Sequence, residues 1–115
     1  MLLMNLKYPI ATMLIFFSFN SAGEFSAGND LYSICSTKKG DDFYYMNSSE
    51  CRGYITGVSD ALSGYTFCIP SGVTVRQDVD IVMRYLSDHP ESRHINAAEL
   101  IARALYESFP CKSKK

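Results

Sequence analysis

Asn47-Ser48-Ser49-Glu50-Cys51-Arg52-Gly53-Tyr54-Ile55-Thr56-Gly57-Val58-Ser59-Asp60-Ala61-Leu62 is the stretch whose spacing decides the fold. Cys51, Tyr54, Ile55, Val58, Leu62 and, just beyond, Tyr65 recur at three- and four-residue steps, one apolar stripe of an amphipathic helix. Asn47 with Glu50 has the form of a capping box. The amide oxygen accepts a free N–H of the first turn and the carboxylate reaches back to the cap. Gly53, Gly57 and Ala61, four residues apart, mark a second face. A glycine costs a helix about 1 kcal/mol relative to alanine, so their spacing predicts close approach by another helix or by a partner's backbone. Gly64 stands where the helix can unwind, and Cys68-Ile69-Pro70 closes the segment.

The same grammar recurs on the C-terminal side. Thr74 with Gln77 forms a second capping box, opening a helix that turns Val75, Val79, Val82, Met83 and Leu86 inward. It should end near Ser87, because Pro90 disfavours helical geometry at His89. Asn96 with Glu99 is the third box, followed by the stripe Ala98, Ile101, Ala104, Leu105 and Phe109 and the stop Pro110. Upstream, Asn29 to Ser36 predicts a short helix with Leu31, Tyr32 and Cys35 inward. Gly40 to Tyr45 is expected as a turn and an aromatic loop. The expected fold is all-α: a small four-helix domain, three main helices plus a short N-terminal one, with no repeat or linker dividing it.

Four cysteines, Cys35, Cys51, Cys68 and Cys111, all follow an N-terminal stretch with the layout of a secretory signal. Met1 to Lys7 is a short charged start, Tyr8 to Phe19 an apolar run, and Ser21, Ala22 and Gly23 the small residues before a cleavage site after Ala22 or Gly23. The apolar run falls well short of the ~20 residues that span a bilayer. The competing account of this run is a buried N-terminal helix. The expected division is therefore a signal peptide over 1–23 and a single domain over 24–115, exported to an oxidising extracytoplasmic compartment with no membrane span in its mature form. An even number of cysteines in a short exported chain implies two disulfides. Cys35 should close the first helix and Cys51 lie in the first turn of the second, which a helical hairpin makes neighbours. Cys68 and Cys111 each follow a helix end and meet if the second and fourth helices run side by side. The expected pairs are Cys35–Cys51 and Cys68–Cys111, out of three formal pairings. By loop closure they are worth ~3 and ~4 kcal/mol.

Between Glu24 and Cys111 the chain has seven basic against twelve acidic residues, with Lys112, Lys114 and Lys115 as a basic tail. An acidic body argues against nucleic acid, which needs a basic face to neutralise phosphate, and suits a cationic protein partner. Thiol catalysis at His89 or His94 would need a free cysteine. The carboxylate pairs Asp41 with Asp42 and Asp78 with Asp80 are most simply a solvated loop and the exposed first turn of a helix. Asp88, His89, Glu91 and His94 crowd one loop, but their spacing matches no established zinc pattern. No cofactor motif is present, no catalytic residue stands out and the balance favours a binding protein over an enzyme. Two segments suit contact with a partner. One is the loop Asp88–His94, stiffened by Pro90, with Asp88, His89, Glu91, Arg93 and His94. The other is the aromatic patch Phe43, Tyr44 and Tyr45, residue types enriched at interfaces.

Taken in order, Cys51-Arg52-Gly53-Tyr54-Ile55-Thr56-Gly57-Val58-Ser59-Asp60-Ala61, Cys68-Ile69-Pro70, Tyr85-Leu86, His89-Pro90-Glu91, Ala104-Leu105 and Phe109-Pro110-Cys111 resemble the Rap/Tai family of immunity proteins. The similarity runs from about Gly28 to Cys111. It implies a mostly helical periplasmic protein that binds a cognate type VI secreted peptidoglycan amidase and blocks its cleft, often as a homodimer. The family supplies no motif for toxin-contacting residues. The quoted residues read as fold-makers, so the contact candidates rest on exposure and loop stiffness. Two other classes compete. One is a periplasmic acid-stress chaperone, which would expose apolar surface at low pH, or another small exported protein-binding module; the other is a small hydrolase, which would require a free thiol or a metal.

Overall fold

The computed structural model describes residues 26–112; the export pattern over 1–23 and the last two lysines lie outside them. Four α-helices follow in order: α1 Gly28–Cys35, α2 Tyr44–Leu62, α3 Val75–Asp88 and α4 Ala97–Ser108, with a 3-10 turn Pro90–Ser92 between α3 and α4. Each helix packs against the other three. Among the described residues there is no strand, only the isolated bridges Ala27–Asn96 and Ser63–Phe67. None of the described helices is long and apolar enough to cross a membrane. The fold is all-α and stapled by two disulfides, as the spacing predicts.

One core joins the four helices. Leu31 of α1, Ile55 of α2, Val82 and Leu86 of α3, and Leu100, Ile101 and Leu105 of α4 are buried. Phe67, from the α2–α3 connection, is fully buried with them. Gly64 makes that possible: at φ 92° it turns the chain out of α2, and its N–H donates to the Phe67 carbonyl at 2.7 Å. A residue with a Cβ pays a steric penalty in that left-handed conformation.

The caps divide into those the structure uses and one it does not. Thr74 and Gln77 form a complete reciprocal box at 3.2 and 2.7 Å. Asn96 Oδ1 accepts from the N–H groups of Ala98 and Glu99 at 2.9 and 3.3 Å, while the Glu99 carboxylate turns away to Arg103 at 2.7 Å. The expected start of α2 at Asn47 is corrected. Asp41 accepts from the Phe43 N–H at 2.9 Å and sets a turn that launches the helix at Tyr44. Asn47 is already one turn inside, and its side-chain amide donates to Thr37 Oγ1 at 3.0 Å, tying α2 to the end of α1. Cys51 consequently lies two turns into α2 rather than in its first.

Both disulfides form as expected, Cys35–Cys51 across a 16-residue separation and Cys68–Cys111 across 43. The second joins the segments that follow α2 and α4, where the Cys68 N–H also donates to the Phe109 carbonyl at 2.8 Å. A Cβ built on Gly53 or Gly57 would meet nothing within 4 Å, so no described helix makes the close approach, and that face is open to a partner's backbone, the other reading of the spacing. Two other expectations are overturned. Asp78, read as solvated, is buried at 6% exposure, whereas Asp80 is exposed as expected. Tyr65 and Val75, placed inward by their period, are exposed, Tyr65 because it lies in the turn beyond α2 and Val75 because it is the first residue of α3.

Candidate partner-binding surface

Helix α3 ends at Asp88, and the chain must reverse before α4. Pro90 opens the 3-10 turn, where its fixed φ is favourable. The turn is closed by the Ser92 N–H on the His89 carbonyl and the Ile95 N–H on the Ser92 carbonyl, both at 3.0 Å. The whole segment is then sewn to the start of α1. Gly28 N–H donates to Ile95 O at 2.8 Å, Asn29 N–H to Arg93 O at 2.7 Å, and Ala97 N–H to Ser26 O at 2.9 Å. The first two donors are free N–H groups of a helix N-terminus, which the loop carbonyls satisfy.

Side chains on this loop divide into two roles. Asp88, Glu91 and His94 are exposed. His89 lies against the Tyr85 ring, centroids 4.3 Å apart, and its Nδ1 is 3.1 Å from Glu91 Oε2. The Glu91 carboxyl is held below its ordinary value, first by a backbone N–H and second by the His89 imidazole. Arg93 points inward instead. Its Nε donates to the Leu86 carbonyl at 2.8 Å and its guanidinium lies 3.9 Å from the Tyr32 ring centroid, a cation–π contact. Of the five loop residues singled out from the sequence, Asp88, Glu91 and His94 therefore present side chains outward, His89 is half-buried against Tyr85, and Arg93 anchors the loop from beneath.

Two depressions flank the loop. One of about 290 Å³ lies between α3 and α4, with Asp88, His89, Arg84 and Glu107 on its walls. The other, about 420 Å³, is bordered by His94, Asp30 and Glu99. Among the described residues Asp30, Asp88 and Glu107 have no ion-pair partner, while Glu99 is paired with Arg103. The loop region is thus a ridge between two hollows, bordered by carboxylates.

Phe43, Tyr44 and Tyr45 form a separate patch at the start of α2. Tyr44 is half-buried and packs edge-on against Tyr45, centroids 5.3 Å apart. Phe43 and Tyr45 are exposed, Tyr45 at 83%, and Met46 joins them at 60%. Met46 was not singled out from the sequence; once α2 is started at Tyr44 its outward phase is plain. The patch adjoins the C-terminal end of α1, whereas the Asp88–His94 loop adjoins its N-terminal end. The two candidates thus lie toward opposite ends of α1. All four cysteines are oxidised, which leaves His89 and His94 no thiol to activate.

The fold and the loop define a small all-α domain, stapled by two disulfides, with an ordered and partly exposed connection between α3 and α4. A family model for Rap1a immunity proteins matches residues 27–111, and the chain belongs to that family. A search of curated proteins finds no match.

Proposed function

We propose that this is a periplasmic immunity protein that binds a type VI secreted peptidoglycan amidase and occludes its active cleft. Membership of the immunity family over residues 27–111 is the observation that carries the reading. The export pattern at residues 1–23 and the two disulfides support the compartment. In this mechanism the ridge Asp88–His94 enters the mouth of the amidase. Its backbone is held by the Gly28, Asn29 and Ala97 bonds and by Arg93, so little ordering entropy is lost on docking. The carboxylates around it raise the association rate of a basic, wall-binding enzyme.

The test uses a secreted peptidoglycan amidase of the type proposed, sought first among the reading frames adjoining this one. Reversing Asp88 and Glu91 to lysine should weaken binding at least tenfold, chiefly through a slower and less salt-dependent association. Tight binding by that double variant, with its fold intact by circular dichroism, would remove the loop from the interface. A Tyr45→Ala/Met46→Ala variant run alongside reports whether the α2 patch contacts the toxin or, by sedimentation, a second copy of the chain.

A further inference from the structure

The core contains a polar pair that no partner-binding role uses. Ser59 of α2 and Asp78 of α3 are 4% and 6% exposed. Ser59 Oγ lies 2.8 Å from the Ile55 carbonyl oxygen and in short hydrogen-bond contact with Asp78 Oδ2. Asp78 Oδ1 is buried and has no hydrogen-bond partner among the described residues.

The hydrogens along this chain of three oxygens can be counted. A hydroxyl has one hydrogen, a carboxylate has none and a carboxylic acid has one. With Asp78 ionised, the Ser59 hydrogen serves either Oδ2 or Ile55 O, and one of the two close contacts holds no hydrogen. With Asp78 protonated, the acid donates to Ser59 Oγ and Ser59 donates onward to Ile55 O. Both contacts are then hydrogen bonds. We propose that Ser59 and Asp78 form a proton-gated clasp between α2 and α3, complete when Asp78 is a carboxylic acid and one hydrogen bond short when it is ionised.

The surroundings favour the acid form. An ionised carboxylate in a core, with one oxygen unserved, loses hydration that nothing replaces. Burial is the largest influence and raises the Asp78 carboxyl above its ordinary 3.8; the Ser59 hydrogen bond opposes this and the nearby Asp60 charge on α2 adds to it. On α2, Glu50 and Arg52 are exposed and Tyr54 is half-buried. Asp30 of α1 accepts from Ala27 N–H, and Tyr32 lies under Arg93. Glu99 and Arg103 of α4 pair with each other, and Glu107 borders the hollow beside Asp88. On α3 itself Arg76 and Asp80 are exposed. The helix N-terminus gives Asp78 limited help, because its own N–H is already bonded to Thr74 O at 3.0 Å.

A group whose proton is held more tightly in the folded state stabilises the fold fully below its unfolded value. That contribution is lost as pH rises through the folded value. The clasp therefore tightens on acidification, opposite to the usual carboxylate. The proposal does not depend on the toxin reading.

The experiment is thermal unfolding of the oxidised protein and of Asp78→Asn between pH 4 and pH 8. The asparagine amide is a permanent donor to Ser59 Oγ and so mimics the acid. Asp78→Asn should melt several degrees higher than the parent at pH 8, and that advantage should vanish or reverse by pH 4. An unchanging difference, or an Asn variant penalised most at pH 8, would overturn the clasp. Carbon-detected NMR titration of the Asp78 carboxyl in the unmodified protein decides the matter even if the variant folds poorly. A midpoint above the ordinary value is expected, and one below it rules the proposal out.

Discussion

Replacing Gly28 with alanine adds one methyl group at the junction of α1, the Asp88–His94 loop and α4. The new Cβ would overlap Leu100 Cδ1 and stand 2.8 Å from the Arg93 carbonyl oxygen. Leu100 is fully buried and has no room to swing away, so the Arg93 backbone must move. That movement strains the Gly28–Ile95 and Asn29–Arg93 hydrogen bonds, each with a net worth of about 1 kcal/mol. Overpacking adds about 1–3 kcal/mol, and alanine's better helix propensity returns at most about 1. The expected cost of Gly28→Ala is therefore ~2–4 kcal/mol, or roughly 10 °C or more in melting temperature for a domain of this size. Gly53→Ala is the control. Gly53 is exposed, lies inside α2 without a positive φ, and its Cβ would meet nothing. That change should stabilise by about 0.5–1 kcal/mol. Urea denaturation with the disulfides intact measures both, and hydrogen exchange at the Asn29 and Ala97 amides should quicken only in Gly28→Ala. The reasoning fails if Gly28→Ala stays within 0.5 kcal/mol of the parent, within the usual range of surface changes. It fails equally if Gly53→Ala is the more damaging of the two.

Truncating Phe67 to alanine, at a fully buried position, should cost about 3–5 kcal/mol by the same denaturation assay. Replacing Cys68 and Cys111 together by alanine should destabilise by ~4 kcal/mol and the Cys35/Cys51 pair by ~3, because the first closes the longer loop; the reverse order would point to strain or residual unfolded structure instead. The Glu91 carboxyl should titrate below its ordinary 4.5 by NMR. Its interaction favours folding above the unfolded value and fades as pH falls through the folded one, the opposite sign to Asp78. His89→Ala should move the Glu91 midpoint back upward.

Much of the scaffold is legible in local sequence, and the exceptions have identifiable causes. Thr74 and Asn96 act as caps because their partners lie two or three residues away, inside the reach of one turn. Asn47 carries an equally good capping signature, yet the helix starts earlier because Asp41 supplies a competing turn. Asp78 was readable in principle. It stands four residues before Val82 and eight before Leu86, on the buried stripe, and its type outweighed its phase. Phe67 follows no helical period, so nothing local marks it as core.

The candidate site was less legible. Exposure and stiffness of the Asp88–His94 loop follow from Pro90 and composition, but the inward turn of Arg93 depends on Tyr32, sixty-one positions away. The gap between that loop and the Phe43–Tyr45 patch is likewise set by how α1 lies across the bundle.

Period, caps and cysteine placement were enough for four helices, two disulfides and an all-α class, because each arises from groups close along the chain or from a few staples with limited geometry. Which faces meet was settled by packing. The core took in Asp78 and Phe67, left the Gly53–Gly57 face bare, and laid Arg93 over Tyr32. Those outcomes balance apolar burial and hydrogen bonding among residues far apart along the chain, and no window of sequence contains that sum.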